Sequence, residues 1–192
     1  MGIAACGHTW RRRILLSICW LALLPFAAHA GDMTAALMNA RVTYDDTRWS
    51  ATQSAGNASL RFDPLGQLGK DLDPVDFRVV RNAGPCSALV RQIFEAGRYD
   101  TRSVATTPAS IGGKPGERFA AHTGCRNATP RGVIICVKDA GQTYLLQALR
   151  AGCRGRNPFS GVDPLAEIAD GIIIHDGTPL KPGAADVRSL PP

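Results

Sequence analysis

Between Gly112 and Cys153 three short runs of β-forming residues alternate with two turn-forming breaks, and no other stretch restricts the fold as strongly. The runs are Glu117 to Cys125, Gly132 to Lys138 and Thr143 to Arg150. The breaks, Arg126 to Arg131 and Asp139 to Gln142, carry the Asn, Pro, Asp and Gly that turns require. This order predicts an antiparallel meander. Its strands are apolar on both sides: Val133, Ile135 and Val137 alternate with Ile134 and Cys136, and Tyr144, Leu146 and Ala148 alternate with Leu145 and Leu149. A strand of that kind needs cover on both faces, so helices or a second layer must pack against the sheet. The expected fold class is α+β, an antiparallel β-sheet (a meander) flanked by helices and stabilised by disulfides.

Helical cover is legible in two places. Gly84-Pro85 opens a helix that Gly97 closes, with Leu89, Val90, Ile93 and Phe94 at helical spacing and Arg91, Gln92 and Glu95 outside. A second helix begins near Ser160 or Asp163-Pro164 and runs to about Asp170, with Leu165, Ile168 and Ala169 inward. Gly171 to Ile174 reads as its extension or as a last strand, with a short extension or turn the preferred reading. Upstream, Val42, Tyr44, Trp49, Ala51, Leu60 and Phe62, broken by Asp45-Asp46 and Gly56-Asn57, predict two or three short hairpin strands, and Val75 to Arg81 predicts another. Residues 31–39 read as a lead or a short helical turn. Arg98 to Pro115 reads as a polar connector, long enough to cover an edge or a pocket. One globular domain over 40–174 is expected, followed by a flexible Pro/Gly-rich tail over 175–192.

The first thirty residues are read apart from the domain. Arg11-Arg12-Arg13, the apolar run from Ile14 to Ala28 and the small-residue ending Ala28-His29-Ala30 are the three parts of a secretory signal peptide, with cleavage expected after Ala30. The apolar run is shorter than the roughly 20 residues a membrane span needs, and no later run approaches that length. A periplasmic or secreted location follows. Residues 1–30 hold three arginines and no acid, so removing them halves the formal charge from +6 to +3. The remaining basic residues are scattered, which argues against nucleic-acid binding.

Export makes the four remaining cysteines, Cys86, Cys125, Cys136 and Cys153, candidates for disulfides, with three connectivities open. Cys125 and Cys136 lie symmetrically about the turn at Pro130 and Arg131, and opposed residues in an antiparallel pair are close enough to bridge. The expected pairing is therefore Cys125 with Cys136 and Cys86 with Cys153. A one-residue slip of the hairpin would turn one cysteine to the other face.

Catalytic chemistry finds little footing. After the leader only His122 and His175 remain as histidines, neither with a nucleophile and an orienting group in an evident motif. His122 falls on the strand face opposite Phe119 and Ala121, and His175 starts the tail. No closely spaced Cys or His pair suggests zinc, and Asp71, Asp73 and Asp76 lack the ligand order of a calcium loop and read as solvated. No catalytic residue, metal or cofactor is assigned. Arg126, Arg131, Arg150, Arg154 and Arg156 gather near the meander ends and form the candidate partner-binding patch.

Tyr44 and Trp49 before a hairpin, the helix from Pro85, Ile111-Gly112-Gly113-Lys114-Pro115-Gly116 entering a strand, the hairpin through Cys125 and Cys136, Tyr144 in the third strand and a closing helix from Phe159 together resemble the PsbP-like group, including its DcrB-like exported members. The resemblance spans most of residues 40–172. It implies an antiparallel sheet with helices on its faces, and members that mostly bind partners instead of catalysing reactions; the four cysteines are not part of that pattern. The functional expectation is an exported, monomeric, non-enzymatic binding or accessory protein of the bacterial envelope, engaging a protein partner or a small ligand. The alternative is a small secreted hydrolase or isomerase using His122 with a nearby carboxylate.

Overall fold

The computed structural model describes residues 30–35, 38–54, 58–66, 68–81, 83–123, 131–150 and 163–176. In chain order these form β1 (Ala30–Ala35), β2 (Ala40–Asp45), β3 (Trp49–Gln53), β4 (Ser59–Pro64), a single turn α1 (Leu68–Asp71), β5 (Val75–Arg81), α2 (Cys86–Ala96), β6 (Asp100–Ile111), β7 (Lys114–His122), β8 (Gly132–Asp139), β9 (Gln142–Leu149), α3 (Pro164–Asp170) and β10 (Ile172–Ile174). Seven strands make one sheet in the order β3-β4-β5-β9-β8-β7-β6, and three make a smaller one, β1-β2-β10. All the pairings are antiparallel.

The both-faced apolar pattern of β8 and β9 has the consequence expected of it. One face of the large sheet, with Tyr144, Leu146, Val133, Ile135, Val137, Phe77 and Phe62, packs with Val42, Ile172 and Ile174 of the small sheet and with Leu165 and Ile168 of α3. The opposite face, with Ile134, Cys136, Leu145 and Phe119, packs with Val90 and Phe94 of α2. Helix α2 covers only part of that second face. Toward β3 it carries Arg61, Asp63 and Asp76, joined by Arg61–Asp63 at 3.0 Å and Arg61–Asp76 at 3.8 Å.

Two tight turns set the register of the meander. Gly112 and Gly113, at φ +60° and +74°, close β6 on β7, and Ala140 and Gly141, at φ +46° and +78°, close β8 on β9. Positive φ at both central residues matches the twist of the strands they join. Gly112 also has no room for a side chain, since a Cβ there would sit 2.9 Å from the Ile172 carbonyl oxygen in β10. Helix α3 starts where Asp163 caps it, its carboxylate accepting from the Leu165 N–H at 3.0 Å. It is tied to β3 by the Trp49 indole N–H donating to Glu167 at 3.1 Å and by Arg48 2.9 Å from the same carboxylate.

Several expectations are corrected. Residues 30–35 are a strand paired along β2, and Ile172–Ile174 is a strand on the other side of β2, neither lead nor helix extension. The polar connector Arg98 to Pro115 is mostly β6, the edge of the large sheet. The first meander strand lies earlier than expected, at Lys114–His122. The disulfide differs as well: Cys136 is bonded to Cys86, with a Cα–Cα distance of 5.9 Å, and not to Cys125. The cause is register. Glu117 stands opposite Cys136 and Ala121 opposite Gly132, so the hairpin's centre falls between Arg126 and Asn127 instead of at Pro130-Arg131. No cysteine stands opposite Cys136 in β7, and Cys136 lies on the sheet face covered by α2, where Cys86 begins the helix. Cys125 and Cys153 lie outside the described residues, as do the leader through His29 and the tail from Gly177.

Candidate functional site: a groove between helix α2 and edge strand β6

Helix α2 leaves a gap against the edge of the sheet. The resulting groove, about 160 Å³, has Val90 and Phe94 of α2 on one wall, Val104 of β6 on the other and Phe119 of β7 as its floor, with Ser87, Arg91, Thr101 and Thr106 at the mouth. The local sequence builds it in two ways. The stripe at Val90 and Phe94 is the buried side of an amphipathic helix. Strand β6 breaks register between Asp100 and Ala105, taking five residues where β7 takes two, so Thr101 and Val104 both line the groove while Ala105 resumes the ladder opposite Ala120. Bulges of this kind re-aim side chains at sheet edges.

A second, open depression continues from it past the shared Thr101, lined by Arg98, Tyr99, Asp100, Arg102 and Thr123. Arg98 follows the helix at φ +60° with its side chain exposed. The Arg102 side chain is 91% exposed and 3.3 Å from the Asp100 carboxylate. That carboxylate is held below the usual range, first by the Arg102 backbone N–H and then by its guanidinium. Arg91 pairs with Glu95 one helical turn on, at 2.9 Å. The Arg98 backbone N–H donates to the Glu95 carbonyl at 3.0 Å, and among the described residues its guanidinium has no hydrogen bond or ion pair. Behind the depression Tyr99 is buried with its ring centroid 5.3 Å from that of Phe94. Burial, then the nearby Asp73, push its hydroxyl up to about 12, against the opposing pull of Arg131.

Of the arginines proposed from sequence, the two among the described residues, Arg131 and Arg150, are largely buried. Arg131 is 2% exposed; its N–H donates to the Ala121 carbonyl and its own carbonyl accepts from the Arg150 N–H, both at 2.9 Å. Arg150 lies 2.6 Å from the Asp73 carboxylate, with the two side chains 16% and 18% exposed. Both therefore serve the interior at the end of β8 and β9. Arg126, Arg154 and Arg156 fall outside the described residues. Asp73 is thus an ion-pair partner, and burial raises the Asp76 carboxyl above its ordinary value, so neither is a freely solvated loop carboxylate.

The histidines stand apart. His122 ends β7 opposite Asp100, whose carboxylate is engaged by Arg102. His175 is held by its backbone, its N–H donating to the Asn39 carbonyl at 2.9 Å, so its position is fixed where a loose tail was expected. Among the described residues no group of three or more His, Cys, Asp or Glu is placed to hold a metal ion. The groove itself escaped sequence reading because its two walls come from a helix and from a stretch that reads as a connector. The Thr-Val-Thr-Thr composition of β6 was the available signal.

A larger depression, about 440 Å³ and shallow, lies over β2, α3 and β10, lined by Tyr44, Asp45, Glu167 and Ile173 among others. It also includes Ala30, which the expected cleavage removes, and Glu167 there is committed to Arg48 and Trp49. No helix among the described residues is long and apolar enough to cross a membrane.

No protein-family model matches the sequence, and no curated protein matches it. Solved structures similar to the chain include the solution structure of cyanobacterial PsbP (CyanoP) from Synechocystis sp. PCC 6803, at 7% sequence identity and a TM-score of 0.49, covering 79% of this chain and 96% of that one.

Proposed function

We propose that this chain is an exported, non-enzymatic binding or accessory protein of the bacterial cell envelope, and that it engages a protein partner along the α2–β6 face. The observation that carries the reading is the apolar groove between a helix and a sheet edge, with an arginine-bearing depression at its end. Export is supported by the basic, apolar and small-residue leader. It is supported also by the Cys86–Cys136 bond, which suits an oxidising compartment. Cleavage after Ala30 would leave β1 paired from Gly31 onward.

The test has two arms. N-terminal sequencing of the protein recovered from the periplasmic fraction is expected to start at Gly31; recovery from the cytoplasm with the leader attached would overturn the export reading. A photo-crosslinking side chain placed at Thr106 is expected to form a covalent adduct with another envelope protein in living cells, and one placed at exposed Arg41 is not. Equal yields at the two positions, or none at Thr106, would refute the assignment of the face.

A further inference from the structure

Resting on that reading, we infer that the α2–β6 groove takes an extended peptide segment of the partner, one that seats a single apolar side chain over Phe119 and presents a carboxylate about two residues away to Arg98 and Arg102. The volume sets the first element. Pockets that bury a whole small molecule are on the order of 300–1,000 Å³, whereas this groove is about 160 Å³ and its interior is aliphatic and aromatic. It has room for one side chain.

The strand edge sets the second. The two-residue turn makes Ile111 and Lys114 a hydrogen-bonded pair, so along β6 the residues that bond β7 alternate back through Ala109, Thr107 and Ala105. Ser110, Pro108 and Thr106 then turn their backbone groups outward. Pro108 has no N–H to offer, which blunts the half of the edge near the turn. The open half is Thr106 and the bulge that follows toward Asp100, and this is the half that borders the groove. Extended peptides add to exposed edges through such groups, with affinity from the main chain and selectivity from side-chain pockets.

Charge sets the third. Around the mouth and the adjoining depression stand Arg91, Arg98 and Arg102 against Glu95 and Asp100, and both acids are already paired, with Arg91 and Arg102. Arg98 is left over. Because the groove and the depression share Thr101 they adjoin, and the same-face step from residue i to i+2 of an extended chain, about 7 Å, carries a carboxylate from the apolar anchor toward Arg98.

The experiment uses the mature oxidised chain and fluorescein-labelled nine-residue peptides of extended-forming sequence, with Leu at the centre and Glu two residues on. The parent peptide is expected to bind with an affinity that falls as salt rises. Changing its Leu to Ala or its Glu to Lys should each weaken binding at least tenfold. In the protein, Arg98→Glu should reverse the preference so that the Lys peptide binds better than the Glu peptide, with thermal unfolding checked to be unchanged; Val104→Arg should abolish both. Indifference to the Leu and Glu changes, or an unaltered preference in Arg98→Glu, would overturn the inference. So would concentration-dependent dimerisation lost in Val104→Arg, which would make a second copy the occupant. If the peptides fail while the Thr106 adduct with an envelope protein persists, the peptide chemistry is wrong and the binding face stands; if both fail, so does the face.

Discussion

Replacing Cys86 and Cys136 together by Ala tests the corrected connectivity and the groove at once. The bond closes a loop of 50 residues, and the chain-entropy model gives about 4 kcal/mol for a loop of that length. Cys136 is fully buried, so deleting its sulfur adds about 1 kcal/mol of lost packing. The combined loss, about 5 kcal/mol, is a third or more of the whole stability of an ordinary domain. For a chain of this size it lowers Tm by roughly 10–20 °C. Urea titration of the mature chain, followed by far-ultraviolet circular dichroism, measures the loss directly. Trypsin should release residues 82–91 and 132–138 from the unreduced protein as one cross-linked species. A loss under about 1 kcal/mol, or a peptide containing Cys125 joined to 132–138, would refute the argument. Helix α2 should suffer first, because it has no side-chain N-cap bond and no acidic residue in its first turn. Its N-terminus is held by the disulfide and by the packing of Val90 and Phe94. Faster amide exchange in α2 of the double variant, with a weaker parent peptide, is the local signature.

Three further perturbations separate effects that differ in size. Asp73→Asn should cost about 3 kcal/mol in urea unfolding, since it removes the negative partner from a mostly buried ion pair with Arg150, whereas Asp32→Asn, which breaks the exposed Arg41–Asp32 pair with side chains 53% and 42% exposed, should cost under about 1 kcal/mol; equal costs would contradict the burial assigned to the first pair. Gly171→Ala should cost about 1–3 kcal/mol by the same assay, because a Cβ there would lie 1.9 Å from the Thr43 carbonyl oxygen and push α3 off β2; a neutral substitution would disprove that close approach. All three tyrosines are raised above their ordinary value mainly by burial, Tyr99 to about 12. A raised phenol keeps its proton in the fold after the unfolded chain has lost it, so stability falls as pH rises through about 10 to 12, by at most about 3 kcal/mol from Tyr99. Absorbance at about 295 nm should show less than the full three-tyrosine step near pH 10 while the fold holds, with Tyr99 ionising last, and a full step there would refute the burial.

What could be read from the chain follows the range over which each signal acts. Both helices, the Asp139 to Gln142 turn, strand β5 and the both-faced apolar pattern of β8 and β9 are local periodicities or turn chemistries, and each is where it was expected. Ile172–Ile174 is three residues long and becomes a strand only because β2, some 130 residues earlier, offers Ala40, Arg41 and Val42 as partners. Strand β6 looked like a connector because an edge strand exposes much of its length, so its polar side chains hide the alternation that marks an inner strand. The two largest corrections share a cause. Symmetry about Pro130-Arg131 placed Cys125 opposite Cys136 and left Arg131 at a solvated rim, but β7 pairs Glu117 with Cys136 and Ala121 with Gly132. That register leaves Cys136 on the α2 face without a cysteine opposite it, bonded to Cys86, and holds Arg131 in the interior with Tyr99 and Asp73. The same register bears on the proposed binding face. With Arg131 and Arg150 drawn inside, Arg98 and Arg102 face solvent beside the bulged edge of β6, with Arg91 at the mouth of the same apolar groove, and it is the bulge, taking three more residues than β7 does, that puts Val104 and Thr101 within that groove.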